Sequence, residues 1–163
     1  EHELQSCALE LGSDVPALLA GAPVRVGGRG EQVQPVRVPA LHVAVAVAGF
    51  SDTAATYAHL AAAEIRSEGR VDAAIAMLQQ GGVDDSRLGS ALEPAARRAA
   101  AQLGVAFDRL RALTPGRRWH LTGSGGALFS VAHDARDAAR LAAAARDGGF
   151  ASRACRTVGA AGT

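Results

Sequence analysis

The residues of this 163-residue chain best suited to chemistry are acidic and hydroxyl side chains set beside glycines. In the stretch Gly12–Glu31, GSDVPALLAGAPVRVGGRGE, Asp14 stands at a tight bend and a glycine-punctuated hairpin follows it. A carboxylate there can take a proton from a hydroxyl brought within hydrogen-bond reach, with Ser13 assisting. Asp is also a preferred helix N-cap, because its oxygen accepts the unpaired backbone N–H groups of a first turn. The two roles are compatible, since capping bonds would fix the carboxylate and keep it ionised.

A second candidate is the loop Thr122–Gly126, TGSGG. Gly123, Ser124, Gly125 and Gly126 can point successive backbone N–H groups at an anion. They can equally be a structural turn in which glycine supplies positive φ angles. The loop is no Walker motif, because the lysine is missing. Nor is it a nucleophile elbow, because Thr stands at position 122 and a strand follows where that motif needs a helix. Gly27–Gly30 reads as a plain hairpin, with no helix N-terminus after it to bind an anion.

Thr53 and Tyr57 lie one helical turn apart and share a face, either as a cap with a packed ring or as a polar lip around a substrate ring. Arg117 and Arg118 could touch a phosphate, although a solvated pair after a turn is the simpler account. The histidines at positions 2, 42, 59, 120 and 133 have no metal-ligand spacing, so they receive no chemistry and no metal site is expected.

Composition narrows the classes. The 17 basic residues, all Arg, nearly balance 16 acidic ones and are scattered, which leaves no footprint for nucleic acid or a membrane surface. Without any lysine, a phosphate-loop or Schiff-base ammonium must come from outside these residues. Cys7 and Cys155 form no ligand spacing or disulfide framework. No apolar run is long enough to span a bilayer, and the opening residues lack signal-peptide character, so a cytoplasmic protein is expected.

Hydrophobic spacing sets out the elements that must position these groups. Leu4, Cys7, Ala8 and Leu11 mark one face of a helix that opens the chain, as if it began upstream. Gly12 stops it, and Asp14 would cap a turn through Pro16, Ala17 and Leu18. Pro23–Val26 and Gln32–Val36 flank the hairpin turn. Leu41–Ala48, rich in Val, reads as a strand covered on at least one face. Ser51 or Asp52 would cap a helix from Thr53 to about Ser67, with Tyr57, Leu60 and Ile65 facing inward.

Further helices are expected over Val71–Gln80, from Pro94 to about Leu103 and continuing after Gly104 to Leu113, and over Asp134–Arg146. Strands are expected at Trp119–Leu121, Ala127–Val131 and Ala151–Val158. From residue 40 on, this order suits an α+β, ferredoxin-like arrangement: a four-stranded antiparallel sheet backed by helices.

Five segments occur in an order and at separations that resemble the GHMP kinase superfamily, and within it the 4-diphosphocytidyl-2-C-methyl-D-erythritol kinase family. They are LGSDVPALLAG from Leu11, GRGE from Gly28, GFSDTAATY from Gly49, LEPAA from Leu92 and TGSGGALFSV from Thr122. The resemblance implies that residues 1–39 finish an N-terminal, ATP-binding domain and that residues 40–163 form the C-terminal domain. It implies a small-molecule kinase that uses ATP and Mg²⁺ to phosphorylate the 2-hydroxyl of a cytidine diphosphate-linked methylerythritol in the non-mevalonate route to isoprenoid precursors.

On this resemblance Asp14 matches the catalytic aspartate that accepts or orients the substrate hydroxyl proton. Gly123, Ser124, Gly125 and Gly126 match a motif beside the nucleotide phosphates that also contacts substrate through Gly125. Thr53 and Tyr57 fall where the family lines its cytidine-substrate pocket. The family's Pro-x-x-x-Gly-Leu-Gly-Gly-Gly-Ser-Ser-like loop and its catalytic lysine are absent and are expected in a missing N-terminal segment of the same enzyme. These residues alone are therefore expected to be inactive. Ser90 and Ala91 replace the acidic and amide residues that often precede the LEP run. Two other readings stay open: another GHMP small-molecule kinase, such as homoserine or mevalonate kinase, and a non-catalytic ferredoxin-like module for a small ligand or partner.

Overall fold

A computed structural model describes residues 2–49, 51–61 and 69–159. In chain order its elements are α1 (His2–Leu11), α2 (Val15–Leu19), β1 (Val24–Gly27), β2 (Gln32–Pro35), β3 (His42–Val47), α3 (Thr53–Ala58) and α4 (Arg70–Gln79). A 3-10 turn at Asp85–Arg87 precedes α5 (Glu93–Ala99), α6 (Ala101–Leu113), β4 (His120–Thr122), β5 (Ala127–Ala132), α7 (Ala135–Asp147) and β6 (Ser152–Arg156). The described residues fall into two compact units, one from 2–40, 71–83 and 158–159, the other from 41–70 and 84–157.

In the first unit β1 and β2 pair antiparallel, with Val26 opposite Val33 and Gly27 opposite Gln32. Arg25 on β1 reaches Asp72 on α4 at 2.8 Å. Helix α1 forms where its periodicity places it, but of the four residues on its expected inner face only Ala8 is buried, while Leu11 is 81% exposed.

The second unit is built on one antiparallel sheet in the order β4-β5-β3-β6. This is the four-stranded α+β architecture expected from the sequence. Strand β3 is central because its short apolar residues suit a strand with neighbours on both edges: Ala44 lies opposite Ser130 of β5 and Ala154 of β6. Helices α6 and α7 cover the sheet through residues at the spacing of one helical face. They bury Leu103, Ala106, Phe107 and Leu110 from one helix, and Ala138, Leu141, Ala142 and Ala145 from the other. With so much alanine in the core, backbones pack closely and each leucine carries much of the burial, about 1.5–3 kcal/mol for a fully buried side chain. Among the described residues no helix is long and apolar enough to cross a membrane.

Three local expectations fail. The helix from Thr53 ends at Ala58 instead of continuing, because His59 leaves helical geometry at φ −90°, ψ 0° and closes the last turn, its backbone N–H still bonding the Ala55 carbonyl at 3.2 Å. Its buried residue is Thr56, whereas Tyr57 is 56% exposed and Leu60 is half-buried. Ile65 lies outside the described residues. The long helix breaks at extended, buried Ala100 and passes uninterrupted through Gly104. An interior glycine costs a helix about 1 kcal/mol, and the packing of Leu103 and Phe107 on either side outweighs it.

Candidate functional site

In the first unit the Asp14 bend and the hairpin tip are parts of one piece of structure. Gly28 and Gly30 take φ angles of +64° and +119°, and the Gly30 N–H donates to the Gly27 carbonyl at 3.2 Å. A Cβ on Gly30 would collide with the Ser13 carbonyl oxygen. Only glycine allows this approach, so the GRGE tip fixes the backbone that carries Asp14.

The Arg29 N–H donates to the Glu31 carboxylate at 2.6 Å. The backbone N–H of Glu31 itself, and after it that Arg29 bond, hold the Glu31 carboxyl below the ordinary carboxylate range. Ser6, Glu10, Ser13, Arg29 and Glu31 line a cleft of about 640 Å³ in this unit.

Asp14 does not cap α2 with its side chain. It precedes the helix at φ −89°, ψ −16°, and its carboxylate accepts no capping bond. A capping side chain needs an extended backbone at that residue. In addition Pro16, the second residue of the helix, has no N–H to donate. Asp14 is therefore an exposed carboxylate on a rigidly held backbone, free to meet a hydroxyl from solvent.

In the second unit the start of α3 is tied to the glycine loop between β4 and β5. Asp52 caps α3 through the Ala55 N–H at 3.1 Å. The Ser124 carbonyl accepts from the Ser51 hydroxyl at 2.8 Å, and the hydroxyl of fully buried Thr56 lies 3.1 Å from both the Ser124 and the Asp52 carbonyls, either of which can accept its one proton. The hydroxyls of Thr53 and Ser124 lie 2.7 Å apart. Gly125, at φ +130°, leaves room for Ser51, whose Oγ would be 2.8 Å from an added Cβ. The Gly126 carbonyl accepts from the Ala48 N–H at 3.1 Å, which anchors the loop to the end of β3.

The structure therefore brings together Thr53, Ser124 and the loop glycines, with exposed Tyr57 one turn farther along the same helix, while Asp14 belongs to the first unit. Sequence reasoning missed Ser51 and Thr56 as the hydroxyls that hold the loop. Their signal was the run of hydroxyl residues in SDTAAT, read only for its cap and for Thr53 as a polar lip. It also missed His120, which is buried and pairs through Nε2 with Asp85 Oδ1 at 2.8 Å. Among the described residues no three His, Cys, Asp or Glu side chains converge as a metal cage.

This fold, a helix-backed four-stranded antiparallel sheet, matches the C-terminal domain of GHMP-type small-molecule kinases among solved structures. A structure of 4-(cytidine 5'-diphospho)-2C-methyl-D-erythritol kinase aligns with 96% of this chain at TM-score 0.79 and 29% identity. Homoserine kinase from Cytophaga hutchinsonii aligns with 90% at TM-score 0.63 and 17% identity, and covers 51% of that protein. Mevalonate kinase from L. major, in complex with R-mevalonate, aligns with 80% at TM-score 0.58 and 16% identity, covering 47% of that protein. The chain spans 57% of the length of the cytidine-linked kinase. No protein-family model and no curated protein matches the sequence.

Proposed function

We propose that these residues are part of an ATP-dependent kinase that phosphorylates the 2-hydroxyl of 4-diphosphocytidyl-2-C-methyl-D-erythritol. The observation that carries this reading is the similarity to the cytidine-linked kinase, 29% identical over 96% of this chain. The homoserine and mevalonate kinases share the fold at 17% and 16% identity, which supports a phosphotransferase of this architecture without favouring their substrates.

In this reading residues 1–39 end the ATP-binding domain and residues 40–163 form the C-terminal domain. The phosphate loop and lysine belong to a further segment of the same enzyme. The exposed leucines of α1 and α2, with Leu4, Leu11 and Leu18 each more than half exposed, offer that segment an apolar surface to cover.

Asp14 is the base. Its carboxylate receives the hydroxyl proton as the hydroxyl oxygen attacks the terminal phosphorus of ATP and ADP leaves. Thr53 and Tyr57 flank the cytidine-linked substrate, and Gly123, Ser124, Gly125 and Gly126 carry backbone N–H groups beside the phosphates, with Gly125 at the substrate. Mg²⁺, when bound, neutralises phosphate charge. It is held largely by the phosphates themselves with one or two carboxylates, so it needs no dedicated protein cage. The reading fits a protein acting in the cytoplasm on a small molecule, without nucleic acid or membrane partners.

The test is phosphoryl transfer from ATP by the longer protein, offered in parallel the cytidine-linked substrate, homoserine and mevalonate. Phosphorylation of the first alone supports the reading. Phosphorylation only of another alcohol, or of none, overturns it. The 163-residue chain by itself is expected to transfer no phosphate.

A further inference from the structure

The second unit contains a cleft of about 550 Å³ whose charge is not balanced from within. Arg70, Arg111 and Arg118 line it, and among the described residues no carboxylate pairs with any of them. The carboxylate in its wall, Glu93, is already held by Arg97 at 3.0 Å. Arg97 also lies over the Phe107 ring at 3.9 Å, which fixes that guanidinium in place.

The neighbouring arginines 117 and 118 divide sharply. Arg117 makes a largely buried pair with Asp137 at 2.7 Å, and Arg118 faces the cleft. Uncompensated like charges gathered in a concavity repel one another and raise the local potential, so the cleft favours an anion.

Two aromatic residues of the lining are held by hydrogen bonds. Buried Trp119 donates from Nε1 to Thr114 Oγ1 at 2.9 Å, and Thr114 Oγ1 donates to the Leu110 carbonyl at 2.6 Å. His120 beside it is held by Asp85. Fixed aromatic side chains and several guanidiniums in one lining suit a compound with an oxyanion end and a carbon body, and the volume is that of a small-molecule site. Guanidinium forks match the oxygens of a phosphate in paired hydrogen bonds.

We propose that this cleft binds a small organic phosphate carrying more than one negative charge. The proposal is independent of the kinase reading, because it needs neither Asp14 nor phosphoryl transfer.

Trp119 is the chain's one tryptophan and lines the cleft, so its fluorescence reports binding directly. Inorganic pyrophosphate is titrated at constant ionic strength, with sodium chloride as the blank. The expected result is a saturable fluorescence change. Arg111→Gln with Arg118→Gln should weaken it at least about tenfold, whereas Arg136→Gln, an exposed charge on α7, should leave it unchanged. No saturable change, a response equal to the salt blank, or equal weakening by Arg136→Gln would each overturn the proposal. If the double variant melts early, an NMR titration of the unmodified chain decides: shifts centred on the Trp119 indole and Gly89 support the site, and shifts elsewhere refute it.

Discussion

Two glycine turns of this chain are held rigid by opposite means. At the hairpin tip, Gly30 sits directly against the Ser13 carbonyl, so the turn is fixed by backbone packing that no side chain could replace. At the loop after β4, Gly123 has open space around it, and the turn is fixed from outside by the hydroxyls of Ser51 and Thr56 on the Ser124 carbonyl. The first arrangement makes a stiff backbone for a carboxylate whose side chain stays free. The second makes a stiff row of peptide groups and commits side chains to doing so. On the proposed kinase reading, a base that must meet a hydroxyl and a loop that must sit against phosphate oxygens need those two kinds of order.

The contrast breaks most visibly at Gly30. Gly30→Ala combines a steric clash with a backbone angle that side chains rarely adopt, so urea unfolding should register a loss of about 2–5 kcal/mol. Gly123→Ala, at φ +61° with no neighbour in reach, should cost only about 1–2 kcal/mol. Equal losses at the two sites would remove the distinction.

Removing the hydroxyls tests the second arrangement. Ser51→Ala with Thr56→Val leaves the Ser124 carbonyl without its side-chain donors and should cost about 1–3 kcal/mol. In the longer protein the same pair should lower kcat more than it raises KM, whereas Thr56→Ser should restore kcat. A change in stability alone would make these residues structural only.

A smaller effect lies in the acid range. Burial raises the Asp137 carboxyl, but the His133 N–H, the Arg140 hydrogen bond and the charges of Arg117 and Arg140 together outweigh it and leave it below the usual value of 3.8. A carboxyl lowered in the folded state stabilises the fold above its unfolded pKa and loses that contribution as pH falls through the folded value. Asp137→Asn should therefore be less stable than the parent at pH 7, with the gap closing below about pH 4. A gap constant with pH would contradict the assignment.

Much of this was legible in the residues. Alternating and helical hydrophobic spacing located the six strands among the described residues and the helices α4 and α7, because those patterns report which face is buried. What spacing could not report was backbone geometry at the ends of elements. His59 leaves helical geometry and closes the helix from Thr53, and Asp14 lacks the extended backbone that a capping side chain needs. The inward residue of α3 was Thr56 because a buried hydroxyl with a fixed acceptor is as acceptable as an aromatic ring, and sequence alone does not supply the acceptor. Arg117 and Arg118 look identical in sequence and separate only once Asp137 is folded against one of them.

The most direct test of the account is Asp14→Asn in the longer protein that the kinase reading requires. Asp14 is exposed and its side chain caps nothing, so thermal unfolding should move by no more than about 0.5 kcal/mol. With ATP, Mg²⁺ and the cytidine-linked substrate, kcat should nevertheless fall at least about 100-fold, the scale set by loss of a general base. Full activity in the Asp14→Asn protein, with its fold intact, would contradict the central claim.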